Sequence, residues 1–418
     1  MSDQSKISLP LGDPAVSEVI MGQSPPSSSY NDTCQGLPFF QGKTDFGQLY
    51  PTPRKWCSAP SKLARKGDIL ISVRAPVGDV NLANSDCCIG RGLAAIRPSP
   101  SIDSNYLFFC LQTLKGILKS RASGSIFEAI NGPTLRELEV PLPPLAEQRA
   151  ISAILWKLQE AIGVETDLIR VSRELKAAVM NRLFTKGLNG ETQKDTEIGL
   201  VPESWEVVPL GEEFDTQLGK MLSQKAKTGS NPNLYLRNKN VQWGRIETSD
   251  LLRMDFNERE KLKFELLPGD LLVCEGGEPG RAAIWHGEIQ DCYYQKALHR
   301  LRTKGNISNK FLGCWLEYSI AVANLYRIAG ASSTIAHLPE IQLKLLNIPK
   351  PPPKEQEEVC STIESISSMI DTHDQRLKLL TELFAALLSS LMSAEIRVTD
   401  LDLKLESPSI QSQGAAAA

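Results

Sequence analysis

Two stretches of the 418-residue sequence combine cations with aromatic rings and carry no carboxylate. From Phe46 to Gly67 stand Arg54, Lys55, Lys62, Arg65 and Lys66, among Phe46, Tyr50 and Trp56. From Thr216 to Ile246 stand Lys220, Lys225, Lys227, Arg237, Lys239 and Arg245, with Tyr235 and Trp243. Lys and Arg grip phosphate, Arg also reads guanine edges, and Asn or Gln pairs with adenine. The candidates for such chemistry are Lys43, Arg54, Lys55, Arg74 and Arg91 in the first half. In the second half they are Lys225, Arg237, Asn238, Lys239, Asn240, Arg281 and Lys296. One run of this kind is ordinarily a solvated face; one in each half of a duplicated chain points to nucleic acid. The net charge of −3 and a pI near 6.0 require any basic surface to be local.

Catalytic patterns fail on spacing. Gln41-Gly42-Lys43-Thr44 looks like the end of a phosphate loop, but five residues separate Gly36 from Gly42 where four are required. Pro38-Phe39-Phe40 would also crowd the backbone N–H groups of such a loop. There is no dinucleotide-type glycine pattern. The Pro-Pro pairs lack the preceding Asn or Asp and the following aromatic with which an amino-methyltransferase grips a base. His286, His299, His337 and His373 stand in no nucleophile or metal spacing. Asp270 and Glu275 could suggest metal-dependent cleavage, but Asp270 is explained by a Gly-Asp turn. The nine Cys include no Cys-x-x-Cys pair and read as reduced thiols, with Cys87 and Cys88 alternating between core and surface. No catalytic, cofactor-binding or metal-binding residue is expected.

The elements that must position the cations are written twice. Pro141-Leu142-Pro143-Pro144-Leu145-Ala146-Glu147-Gln148 is matched by Pro349-Lys350-Pro351-Pro352-Pro353-Lys354-Glu355-Gln356. Each proline run stiffens an extended lead-in, and each Glu falls in the first helical turn, complementing the positive helix end. A helix of about 35 residues, roughly 50 Å long, follows each lead-in. Behind the second, Val359, Ile363, Ile366, Ile370, Leu377, Leu380, Phe384, Leu387 and Leu391 form a heptad seam broken only by His373. Behind the first, Ile151, Leu155, Leu158, Ile162, Val179 and Leu183 hold the ends of a seam whose middle is polar. Leu168 and Leu175 are expected to fill that middle from neighbouring positions. Neither helix can bury its stripe alone, so each is expected against the other.

The globular segments repeat too. Leu9-Pro10-Leu11-Gly12-Asp13 before Gly22 parallels Val208-Pro209-Leu210-Gly211-Glu212 before Gly219. Lys66-Gly67-Asp68 and Pro268-Gly269-Asp270 each turn into a buried strand. The small-residue loops Ala122-Ser123-Gly124-Ser125 and Gly330-Ala331-Ser332-Ser333 correspond as well. Helical runs at 105–118 and 310–326 alternate with strand-like runs, giving mixed α/β (α+β) globules. The order is a globule at 1–140, a helix at 141–188, a linker at 189–205, a globule at 206–348, a helix at 349–396 and a polar tail at 397–418. The linker reads as polar loop. No apolar run reaches membrane-span length, and the first twenty residues lack a signal-peptide core, so a cytoplasmic protein is expected.

These features together resemble the specificity (S) subunit of Type I restriction-modification enzymes over nearly the full length. The resemblance rests on the two Pro-Pro…Glu-Gln entries, on Leu183-Phe184-Thr185-Lys186-Gly187-Leu188, and on Ile198-Gly199-Leu200-Val201-Pro202-Glu203-Ser204-Trp205. It implies two target-recognition domains in a pseudo-twofold repeat, separated by two antiparallel coiled-coil helices. Each domain would read one half of a bipartite site in double-stranded DNA, with half-site centres about 34–36 Å apart. The helices would set the spacer and dock two methyltransferase (M) subunits, with restriction and translocase (R) subunits in the full complex. S-adenosylmethionine, Mg and ATP would then belong to the partners. The resemblance assigns no base-reading residue here. Two other classes compete: a single-chain methyltransferase or nuclease with fused recognition domains, and a coiled-coil scaffold with two protein-binding domains. The first lacks an unassigned segment for a cofactor domain, and the acid-free basic runs disfavour the second.

Overall fold

Each half of the chain closes by pairing its first strand with its proline lead-in. Ser8–Pro10 runs antiparallel to Glu139–Pro141, and Glu206–Pro209 to Asn347–Lys350. Two-stranded edges tolerate proline, which has no N–H to give a ladder. The computed structural model describes residues 7–122, 129–326 and 337–400. The chain divides into two units, residues 1–166 with 375–418, and residues 167–374.

In the first unit an antiparallel sheet has the order Ser17–Met21, Leu93–Pro98, Ile69–Ser72, Val80–Leu82. In the second the same order recurs as Phe214–Leu218, Leu298–Thr303, Leu271–Cys274, Ala282–Ile284. The expected Gly-Asp turns are present in both. Gly67 and Gly269 have φ of +93° and +94°, a region that disfavours other residues. Asp68 and Asp270 then cap their turns and take a bidentate Arg from the neighbouring strand, Arg97 and Arg302 respectively. Asp270 is thus a structural carboxylate.

A second small sheet in each unit contains one parallel pair. Leu37–Phe40 pairs with Cys87–Ile89, and Pro232–Leu236 with Tyr293–Tyr294. Cys87 and Cys88 are both fully buried, against the expected alternation. Their strand is sandwiched: Cys87 packs with Phe40, Leu70 and Ile89, and Cys88 with Phe39 and Cys57 on the other face. The polar stretch read as linker is also more ordered than expected. Gln193–Thr196 and Gly199–Pro202 form a hairpin, and Ile198, Val201 and Trp205 join the core of the second unit.

The two long helices span Leu145–Lys186 and Pro353–Met392, 42 and 40 residues, each about 60 Å long. Within each unit they pack antiparallel. Arg173 meets Asp374 at 3.2 Å in the second, and Arg376 approaches Glu165 at 3.9 Å in the first. Along the seam, Ile151, Leu155, Leu183, Val359, Ile363, Ile370 and Leu391 are buried. Leu158, Ile162, Val179, Ile366, Leu377, Leu380, Phe384 and Leu387 are half-buried. The expected filling by Leu168 and Leu175 does not occur, since both face solvent. The seam keeps its own residues there, Ile169 and Ser172 buried and Lys176 paired with Glu317 at 2.6 Å. Large side chains outside the seam complete the first helix, Trp156 against Phe109 and Phe184 among Trp205, Phe311, Trp315 and Tyr318.

The repeated Gln of the helix entries fastens each helix to its globule. Gln148 Oε1 accepts from Asp103 N, and Gln356 Oε1 from Ser308 N. Asp103 and Ser308 are themselves the N-caps of Ser104–Thr113 and Asn309–Leu316. Gln148 Nε2 donates to Pro143 O, and Gln356 Nε2 to Asn306 O and Pro351 O. Glu147 and Glu355 do lie in first turns, and Glu355 in addition accepts from Leu188 N and Trp205 Nε1. The small-residue loops lie outside the described residues apart from Ala122, as does the tail beyond residue 400. Before that point Ile396 and Val398 pack on the first core.

Candidate nucleic-acid interface

A parallel strand pair sends both chains out of the sheet at the same end, so the segments that follow emerge side by side. In the first unit these are Gln41-Gly42-Lys43 and Gly90-Arg91-Gly92. Gly90 N donates to Phe40 O, Gln23 N to Ile89 O and Val73 N to Gly92 O, at 2.8–3.0 Å. In the second unit they are Arg237-Asn238-Lys239 and Gln295-Lys296-Ala297. Gln295 N donates to Leu236 O, Lys220 N to Tyr294 O and Glu275 N to Ala297 O, at 2.9–3.1 Å. The two networks correspond bond for bond. Both need a glycine at the crossing: a Cβ on Gly22 would lie 2.2 Å from Gly90 O, and on Gly219 2.3 Å from Gln295 O.

This end of the sheet gathers most of the cations singled out in the sequence. In the first unit Lys43, Arg74 and Arg91 project from three adjoining loops and are exposed. Arg54 and Lys55 are exposed beside them, with Phe39 N donating to Lys55 O at 2.8 Å. Lys43 pairs with Asp79 at 2.7 Å, and Lys115 meets the other oxygen of that carboxylate. Desolvation raises the Asp79 carboxyl, but Lys115 and Lys43 outweigh it and hold it below its usual range. Arg54, Lys55, Arg74 and Arg91 have no carboxylate partner among the described residues.

The loop that looked like a phosphate cradle is built to refuse one. Asp45 Oδ2 accepts from Gln41 N at 2.7 Å and Gly42 N at 3.3 Å. The backbone donors that would hold phosphate are occupied by a fixed anion, which would repel it. Its counterpart in the second unit is the short turn Asn238–Asn240, where Asn240 Oδ1 accepts from Arg237 N.

In the second unit Arg237, Lys239 and Arg281 are neutralised from within. Arg237 Nη2 donates to Asp250 Oδ1 at 2.8 Å and to Asp250 O at 2.5 Å, and Lys239 pairs with the same carboxylate. Lys239, then Arg237, holds the Asp250 carboxyl below its usual range. Arg281 donates to Glu278 and to Asn238 O. Asn238 bonds Lys239 N and Gly276 O, while Asn240 is buried, with its amide on Glu247 O. Both Asn amides shape the loop, and Asn240 has no free edge with which to read adenine. Lys296 is exposed and has no carboxylate partner among the described residues. Lys225 sits on the short helix Gln224–Thr228, and its side chain lies outside the described residues. Lys220 is held by Glu260 at 2.7 Å and stacks over Phe256.

Sequence reasoning missed Asp250 because it stands four residues beyond the acid-free run. Only the turn through Val241–Gln242 and Arg245–Ile246 returns it to Arg237. It missed Asp79 because the partner of Lys43 is 36 residues away.

A family model described as the Type I restriction modification DNA specificity domain matches residues 58–171 and 202–382. The MjaX specificity subunit of Methanocaldococcus jannaschii is 42% identical over 183 residues, 44% of this chain and 43% of that protein. The MjaVIII type I restriction enzyme specificity subunit of the same organism is 27% identical over 310 residues, 72% of each chain. In structure, the chain resembles the S subunit of a Type I restriction-modification system from M. genitalium. The TM-score is 0.61 at 17% identity, covering 94% of this chain and 97% of that one.

Proposed function

This chain belongs to the Type I restriction-modification DNA specificity family, and from that premise we propose that its two globules are target-recognition domains. Each reads one half of a bipartite DNA site through the loops at the end of its parallel strand pair. One observation carries this reading: the same loop network is built twice and presents cations at the same place each time. Phosphate contacts set position and base-edge contacts set sequence. The long helices fix the spacer between half-sites and dock two methyltransferase subunits, which restriction subunits join in the full complex. S-adenosylmethionine, Mg and ATP act in those partners, and this chain supplies recognition only.

The test is a matched lengthening of both helices. One heptad is inserted after Thr166 and another after Asp374, where the two units divide. Seven residues keep the seam on nearly the same face and add about 10 Å, close to three base pairs. The methylated motif is then determined in cells that carry the partner subunits. The expected motif has both half-sites unaltered and a spacer longer by about three base pairs. Altered half-sites with an unchanged spacer would refute the helices as the ruler.

A further inference from the structure

We propose that Asp250 is a specificity-determining residue, which occupies Arg237 and Lys239 and so keeps the second recognition edge from gripping DNA by charge alone. The inference rests on the DNA-recognition reading above. Its grounds are the contrast between two equivalent edges. In the first unit Arg54, Lys55, Arg74 and Arg91 have no carboxylate partner among the described residues. Only Lys43 of that edge is paired, with Asp79. In the second, Arg237 and Lys239 share Asp250, Arg281 has Glu278 and Lys220 has Glu260, and of its edge cations only Lys296 has no carboxylate partner among the described residues. Nonspecific affinity comes from counterions that cations release from the DNA backbone, so a cation already neutralised adds little to it.

The geometry makes Asp250 more than a passing surface partner. Its carbonyl and its carboxylate both accept from one nitrogen of Arg237, whose side chain is largely buried and whose Nε is buried without a partner. Arg237 is therefore held in one direction. Lys239 is mostly exposed and would otherwise sweep freely over phosphate. A carboxylate beside these cations also repels phosphate that approaches without the base contacts needed to displace it. Any DNA must exchange Asp250 for its own acceptors, and a correct half-site supplies more of them than a wrong one.

The variant Asp250→Asn separates charge from shape, since it keeps the carbonyl and Oδ1 that accept from Arg237, replaces the Oδ2 that pairs with Lys239 by an amide nitrogen, and removes the negative charge. The complex with its methyltransferase subunits is titrated with duplex carrying the mapped site, and with duplexes in which either half-site is scrambled. Asp250→Asn should bind the cognate duplex within about threefold of wild type. It should bind the duplex scrambled at one half-site about tenfold more tightly than wild type does, with no such gain at the other half-site. The slope of log affinity against log salt should steepen by about one. Adding Lys239→Gln, which restores the local charge, should return both readouts toward wild type. Unchanged discrimination, equal loosening at both half-sites, or loss of binding to all duplexes overturns the role of Asp250. If wild type itself ignores both scrambled half-sites, the recognition reading has failed instead.

Discussion

Gln148 and Gln356 show how one side chain turns a sequence repeat into a repeated joint. Both are 2% exposed, and each bonds the N-cap residue of a globule helix and a carbonyl of its own lead-in. Gln356 makes a third bond, to Asn306 O, that Gln148 lacks. Replacement by Ala leaves buried backbone groups without partners. Gln356→Ala should cost about 2–4 kcal/mol, and Gln148→Ala somewhat less. Urea unfolding followed by tryptophan fluorescence is the measurement. A cost below about 0.5 kcal/mol for Gln356→Ala would mean that water replaces the amide.

At the scale of elements, the first helix changes partners along its length. Its C-terminal end buries Met180, Leu183 and Phe184 in the core of the second unit, whereas its N-terminal end buries Ile151, Ile154 and Leu155 in the first. The polar seam position at Lys176 is explained by its ion pair with Glu317, at the start of the π-helical turn Glu317–Val322. The two side chains are 15% and 17% exposed, so the pair is mostly shielded from water. Lys176→Met alone should cost about 2–3 kcal/mol, because it strands a mostly buried carboxylate. Lys176→Met combined with Glu317→Leu should recover most of that loss, since an apolar pair of similar volume often replaces an ion pair without cost. A double variant as unstable as the single one, by thermal unfolding, would point to a role beyond charge balance.

For the whole molecule, the proposed function leaves all methyl-transfer chemistry to partner subunits. The one loop that resembled a nucleotide cradle has its donors capped by Asp45. The purified chain alone should therefore transfer no methyl group from labelled S-adenosylmethionine to DNA carrying its site. Adding the partner methyltransferase subunits should restore transfer. Turnover by the isolated chain at a rate comparable to the complex would contradict its assignment as a recognition subunit.

The sequence by itself determined the duplication, the two long helices with their seam, the Gly-Asp turns and the family. These are written in local periodicity, in proline and glycine positions, and in short motifs that each occur twice, all of them legible within a few neighbouring residues. It also placed Lys43, Arg74, Arg91, Arg237, Lys239 and Lys296 among the candidates, although not why they converge. The tertiary structure alone decided that convergence, because a parallel strand pair joins segments about fifty residues apart. It alone paired Asp79 with Lys43, and it paired Asp250 with Arg237 and Lys239, bringing a carboxylate onto the second run without acid. Burial of both Cys87 and Cys88 and the hairpin at 193–202 were decided the same way, by which surfaces the rest of the chain covered. The sequence records where charges stand along the chain, but Coulomb interactions and burial depend on distances in space.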